Sequence, residues 1–297
     1  MFKRLLIATD GEDYLERLGA CLPHLRQSGI EMVTFVHAVA WQDDGLGIPP
    51  TSLPQVVEME TRLRQAVKMT PPDMEVNIRV VIGKPSDVIL QVAAADQADV
   101  VLLAMSLQSF LEEKLFGSTT IGLLPRLGIP ALIVRPPLIQ ALTLAELQSR
   151  CANLFRFILV PYHFANSSVA TLELVVKTIE RDPDHSCQSL TLLHIVDTSS
   201  RLGQMAANEQ LLTCQQKLEQ LVTTYHARLP QVNVTSQVRV GSPLTEILRV
   251  AAETDVTAIA LGSRRPGRLL EWSIPSISGE ILRKSWHSLL FFPISSP

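Results

Sequence analysis

Apolar positions along this chain fall into two patterns that take turns. Leu5, Leu6, Ile7 and Ala8 form a short continuous run, the signature of a strand covered on both faces of a parallel sheet. In residues 14–27 the spacing changes: Leu15, Leu18, Cys21, Leu22 and Leu25 share one face of a helix. Residues 32–39 read as a strand again. A loop over 41–54, marked by Gly45, Gly47 and Pro49-Pro50, leads to Val56, Met59, Leu63, Ala66 and Val67 at helical spacing. Pro71-Pro72 stops that helix. The alternation continues with a strand at 76–82, a helix opening near Pro85, a strand at 100–104, a loop at 105–116, a helix at 118–127 and a strand at 131–134. Strand and helix strictly alternating predict a parallel sheet with helices on both faces.

Pro136-Pro137 interrupts the pattern, and residues 138–154 read as a connector with a short helix around 144–150. The alternation then starts again. Strands are predicted at 157–161, 190–196, 232–240, 256–261 and 288–292, and helices at 169–179, 206–228 and 243–254. Individual residues repeat too. Gly83, Pro85, Ile89, Leu90, Val92, Ala93 and Leu103 match Gly241, Pro243, Ile247, Leu248, Val250, Ala251 and Leu261 at one constant spacing. His37 corresponds to His194, and Asp10 to His163. The chain is therefore a duplicated α/β domain: two tandem doubly wound five-stranded parallel sheets. The expected divisions are 1–137, the connector 138–154, and 155–297.

Composition narrows the function. The net charge of −3 among 297 residues carries no basic excess, so a nucleic-acid partner is not expected. No apolar run is long enough for a membrane span, and the start reads as a strand rather than a signal peptide. Cys21, Cys151, Cys187 and Cys214 show no metal or redox spacing; they read as reduced thiols of a cytoplasmic protein. The seven histidines form no metal group, and no catalytic triad or paired carboxylate pattern is present in the sequence.

The quoted segments resemble a known family. IATDG at 7–11, TFVHAV at 34–39, the stretch 83–104, FGST at 116–119 and PALIV at 130–134 are similar to a universal stress protein, as are 157–162, 190–196 and 241–264 in the second half. The resemblance implies two such domains in one chain, with the fold of adenine nucleotide alpha hydrolases. It implies a stress-response regulator that is not an enzyme, that binds ATP or another adenine nucleotide, and that associates as a dimer or with another protein. ATP-binding members carry the pattern Gly-x2-Gly-x9-Gly-Ser/Thr across the last loop, where glycines let backbone N–H groups close on phosphates. On the first copy this frame falls on Ala104, Leu107, Gly117 and Ser118; on the second it falls on Gly262, Arg265, Pro275 and Ser276.

The candidate nucleotide residues are accordingly Thr9, Asp10, Gly11, Val39, Ala104, Gly117, Ser118 and Thr119. Asp10 reads either as a ribose acceptor or as a turn cap. Gly117-Ser118-Thr119 reads either as a phosphate cradle or as an ordinary helix N-cap. Leu107 places a branched side chain where backbone would meet phosphate. In the second copy, Arg264, Arg265 and Arg268 form either an anion clamp or an exposed basic loop. Two other functions stay open. One is a nucleotide-independent interaction scaffold, suggested by Phe110, Leu111, Leu115 and Phe116 in the first long loop; the other is slow ATP hydrolysis.

Overall fold

The computed structural model describes residues 1–9, 14–39, 54–104, 118–134, 142–182, 184, 186–197, 204–264 and 277–294. The chain divides into two compact units, Phe2–Ala152 and Asn153–Pro297, the latter grouped with Met1.

In the first unit the strands are β1 (Arg4–Thr9), β2 (Met32–Val39), β3 (Glu75–Ile82), β4 (Val100–Ala104) and β5 (Ala131–Val134). They pair in parallel in the order β3-β2-β1-β4-β5. The helices are α1 (Leu15–Gly19), α2 (Leu22–Gln27), α3 (Pro54–Ala66), α4 (Pro85–Ala95), α5 (Ser118–Leu123) and α6 (Leu144–Ala152). The second unit repeats the plan with β6 (Phe157–Pro161), α7 (Asn166–Glu180), β7 (Ser189–Val196), α8 (Gln204–Arg228), β8 (Asn233–Val240), α9 (Pro243–Glu253), β9 (Ala258–Arg264), α10 (Ile277–Lys284) and β10 (Ser288–Ile294). Its order is β8-β7-β6-β9-β10, again all parallel. In each unit the central strands are sequences of buried aliphatic residues, as a sheet covered on both faces requires.

Three expectations are corrected. The helix expected over 14–27 is two helices, because Pro23 has no N–H to give to the previous turn and its ring would meet that turn's carbonyl. The helix expected over 118–127 ends at Leu123, and the next residues continue only as turns. Arg264, expected in a loop, is the last residue of β9 and pairs with Ile294.

The duplication extends to how each first strand is tied. Asp99 Oδ2 accepts the backbone N–H groups of Lys3 and Arg4, both at 2.9 Å. At the corresponding place Thr257 Oγ1 accepts the N–H of Phe157 at 3.0 Å. A carboxylate and a hydroxyl thus do the same work at the amino ends of the two sheets. The turns before α4 and α9 also match: Gly83 and Gly241 sit at φ of +153° and +150°, where a side chain is strained, and Pro85 and Pro243 open the helices.

Close approach fixes Gly19. A Cβ there would lie 1.9 Å from the backbone carbonyl oxygen of Ala66, at the crossing of α1 and α3. Backbone cannot step aside as a side chain can. Gly19→Ala is expected to destabilise the first unit by about 3 kcal/mol, the upper end of overpacking costs, measured by urea unfolding.

In the second unit α7 and α8 are tied by charge. Tyr225 donates its hydroxyl to Glu173 Oε1 at 2.7 Å, and Arg228 reaches Glu173 at 2.9 Å and Glu180 at 2.8 Å. Burial alone raises the Glu173 pKa, but the Tyr225 and Arg228 hydrogen bonds outweigh it and hold the carboxyl below its ordinary value. A lowered folded-state pKa adds stability above the ordinary value and loses it as the pH falls through the lowered one. Glu173→Gln is therefore expected to flatten the acid limb of a thermal-midpoint profile while leaving its dependence around neutrality unchanged.

Candidate functional site

In an open parallel sheet, ligands bind outside the carboxyl ends of the strands, where neighbouring strands send their chains to opposite faces. In the first unit that point lies between β1 and β4. The register pairs Ala8 with Leu103, so Thr9 and Ala104 stand at the two strand ends. Thr9 is buried, and its carbonyl lies 3.0 Å from His37 Nδ1. A carbonyl only accepts, so that nitrogen carries the proton. His37 thus ties the tip of β2 to the end of β1.

Val39, the last residue of β2, is buried. Beside it a groove of about 300 Å³ runs against α3, lined by His37, Ala38, Val39, Gln55, Glu58, Met59 and Arg62. Ser118 and Thr119 are the first two residues of α5. Asp10, Gly11, Leu107, Phe110, Leu111, Leu115, Phe116 and Gly117 lie outside the described residues. Of the expected nucleotide set, then, Thr9, Val39 and Ala104 are strand ends on one side of the sheet, and Ser118-Thr119 open a helix.

The equivalent place in the second unit is built differently. His194 Nδ1 again meets a carbonyl, that of Tyr162, at 2.8 Å. Two residues on, Phe164 occupies the position of Gly11, with φ of +60°. Its ring meets Tyr162 edge-on, with centroids 5.2 Å apart, and lies 4.9 Å from the His194 ring. Lys217 of α8 places its ammonium 5.8 Å from the same ring. The aromatic ring therefore packs beside the residue that follows β6 and against His194 of β7. His163, at the position of Asp10, is exposed, with Nε2 3.4 Å from Ser167 Oγ.

Gly262, which keeps the family's first glycine, has a packing reason to be one. A Cβ there would lie 2.2 Å from both Ile294 Cδ1 and Thr171 Oγ1, and that hydroxyl is held by the Ser167 carbonyl at 2.8 Å. Arg264 ends β9, while Arg265, Arg268, Pro275 and Ser276 lie outside the described residues. A larger groove of about 410 Å³, lined by Gln215, Glu219 and residues 236–239, lies between α8 and the edge strand β8. It is two strands away from the β6–β9 crevice, so the strand order argues against it as the ligand site. Among the described residues no three His, Cys, Asp or Glu side chains gather to hold a metal. No helix among them is long and apolar enough to cross a membrane.

The model of the universal stress protein family matches residues 1–135 and 155–293. The chain belongs to the universal stress protein family. A universal stress protein of Thermus aquaticus, encoded in the 3′ region of a sulfhydrylase gene, is 28% identical over 138 residues, which is 46% of this chain and all of that protein. Among solved structures, a universal stress protein from Archaeoglobus fulgidus superposes with a TM-score of 0.67 at 16% identity, over 98% of each chain. A functionally unknown protein from Pseudomonas aeruginosa gives 0.59 at 12% identity, over 98% of this chain and 92% of its own. At these identities the structures establish the tandem fold and leave ligand chemistry to the residues.

Sequence reasoning missed Phe164, Tyr162 and Lys217. The signal for Phe164 was available: a bulky residue stands where the first copy has Gly11. A phenylalanine at positive φ costs about 1–2 kcal/mol relative to glycine, while its aromatic contacts contribute about 0.5–1.5 kcal/mol. Both Phe164→Ala and Phe164→Gly lose the ring, but only glycine relieves the backbone. Phe164→Gly is expected to be the more stable of the two variants by about 1 kcal/mol, read from their chemical unfolding curves.

Proposed function

We propose that this protein is a non-catalytic, cytoplasmic regulator that binds one adenine nucleotide in its first domain (residues 1–137) and none in its second. The observation that carries this reading is the contrast at the carboxyl ends of the first two strands of each unit. In the first unit a groove of about 300 Å³ opens beside Val39, at the end of β2; in the second, the Phe164 ring packs on Tyr162 just past β6 and on His194 of β7. A volume near 300 Å³ is at the lower end of small-ligand sites. Val39 and Met59 offer apolar surface to a flat base, and Gln55, Glu58 and Arg62 offer polar partners to its edges. In this reading Thr9, Asp10 and Gly11 take the ribose. Gly117, Ser118 and Thr119 take the phosphates through N–H groups and hydroxyls, with Ala104 alongside. Arg264, Arg265 and Arg268 take no part in nucleotide binding in this reading. Binding changes the surface that a partner, or a second copy of the chain, meets.

Calorimetric titration with ATP, ADP and AMP at millimolar concentration tests the reading. The expected result is one nucleotide per chain, at least tenfold weaker in Asp10→Ala and unchanged in His163→Ala. Absence of heat with all three nucleotides would overturn it and leave the nucleotide-independent scaffold. Release of inorganic phosphate on the timescale of binding would overturn its non-catalytic part.

A further inference from the structure

The first unit contains a pair of cysteines that the nucleotide reading does not use. Cys21 stands at the head of α2, and Cys151 lies in the last turn of α6, the helix of the connector. They are far apart in sequence, and both are buried. α6 packs directly on α2. The contact is fixed by hydrogen bonds around the pair: Gln148 donates to the Ala20 carbonyl at 3.2 Å, and Arg17 donates to the Leu142 carbonyl. These ties bring the head of α2 against the last turn of α6, so the two buried thiols lie close enough to act on each other's ionisation.

The pair is electrostatically unlike the other two described cysteines. Burial pushes Cys187 up to about 12 and raises Cys214 as well. Cys21 moves the other way: the neighbouring Cys151 thiol favours its ionised form, and the positive charge of Arg17 one turn earlier helps, against the opposing effect of burial. Cys151 is raised by the same contact and by burial, so the pair gives up its first proton from Cys21. Arg17 Nε is itself buried and without a hydrogen-bond partner among the described residues. A cation left short of acceptors therefore acts on the sulfur that ionises first.

We propose that Cys21 and Cys151 form a peroxide-sensitive dithiol, and that its disulfide staples the connector helix to the first unit. The oxidant is hydrogen peroxide. The Cys21 thiolate attacks one peroxide oxygen; an S–O bond forms, the O–O bond breaks, and the departing hydroxide takes a proton to leave as water. The Cys151 sulfur then attacks the Cys21 sulfur. The S–S bond forms, the S–O bond breaks, and a second water leaves with the Cys151 proton. Two thiols and one peroxide become one disulfide and two waters. The link closes a long loop of the chain, which constrains the unfolded state.

The test treats the purified full chain with hydrogen peroxide, blocks remaining thiols with an alkylating agent in denaturant, and maps the digest by mass spectrometry. The expected product is one species joining the Cys21 peptide to the Cys151 peptide, two hydrogens lighter than their sum and reversed by dithiothreitol. Cys187 and Cys214 should remain fully alkylated. The oxidised chain should melt several degrees higher than the reduced one. In Cys151→Ser, Cys21 should instead be captured by dimedone as the sulfenic acid. Full alkylation of both Cys21 and Cys151 after peroxide would overturn the proposal, as would Cys21 joined to a second chain or driven to sulfinic acid. The wild-type map decides the matter even where the serine variant does not fold.

Discussion

Each unit depends on its first strand having a hydrogen-bonded neighbour on both sides. β1 is held by β2 along its length and by β4 over residues 5–8, and β6 is held in the same way by β7 and β9. A strand so placed is buried on both faces, so only aliphatic sequence suits it; its polar chemistry is pushed to its two ends. The amino ends are closed by Asp99 in one unit and Thr257 in the other. The carboxyl ends lie beside the crevice. Only a few residues there can meet a ligand, because the rest of the strand is buried aliphatic sequence.

Duplication has preserved backbone positions while side chains diverged around them. His37 and His194 make the same ring-to-carbonyl bond at the same place, so that contact belongs to the fold rather than to either unit's function. The position after Asp10 and His163 separates the copies. The first copy has a glycine in that position, and the second has a phenylalanine at positive φ whose ring meets Tyr162, His194 and Lys217. Gly262, which matches a ligand-binding pattern, also sits where a side chain would meet Ile294 and Thr171. The connector helix is likewise part of the first unit, held by Gln148 and Arg17.

The sequence by itself determined the strand and helix order, the duplication and the family. Those features rest on local periodicity, and local periodicity is printed residue by residue. It also marked Thr9, Val39 and Ala104 as strand ends. It missed the break between α1 and α2, although Pro23 was in plain view, because the apolar stripe runs unbroken through the proline. What only the tertiary structure decided is which distant side chains meet. Cys21 and Cys151 have no spacing that pairs them, and the ring of Phe164 meets Tyr162 just past β6, His194 of β7 and Lys217 of α8. Such contacts are set by how helices pack over a finished sheet, and no single stretch of sequence carries that geometry.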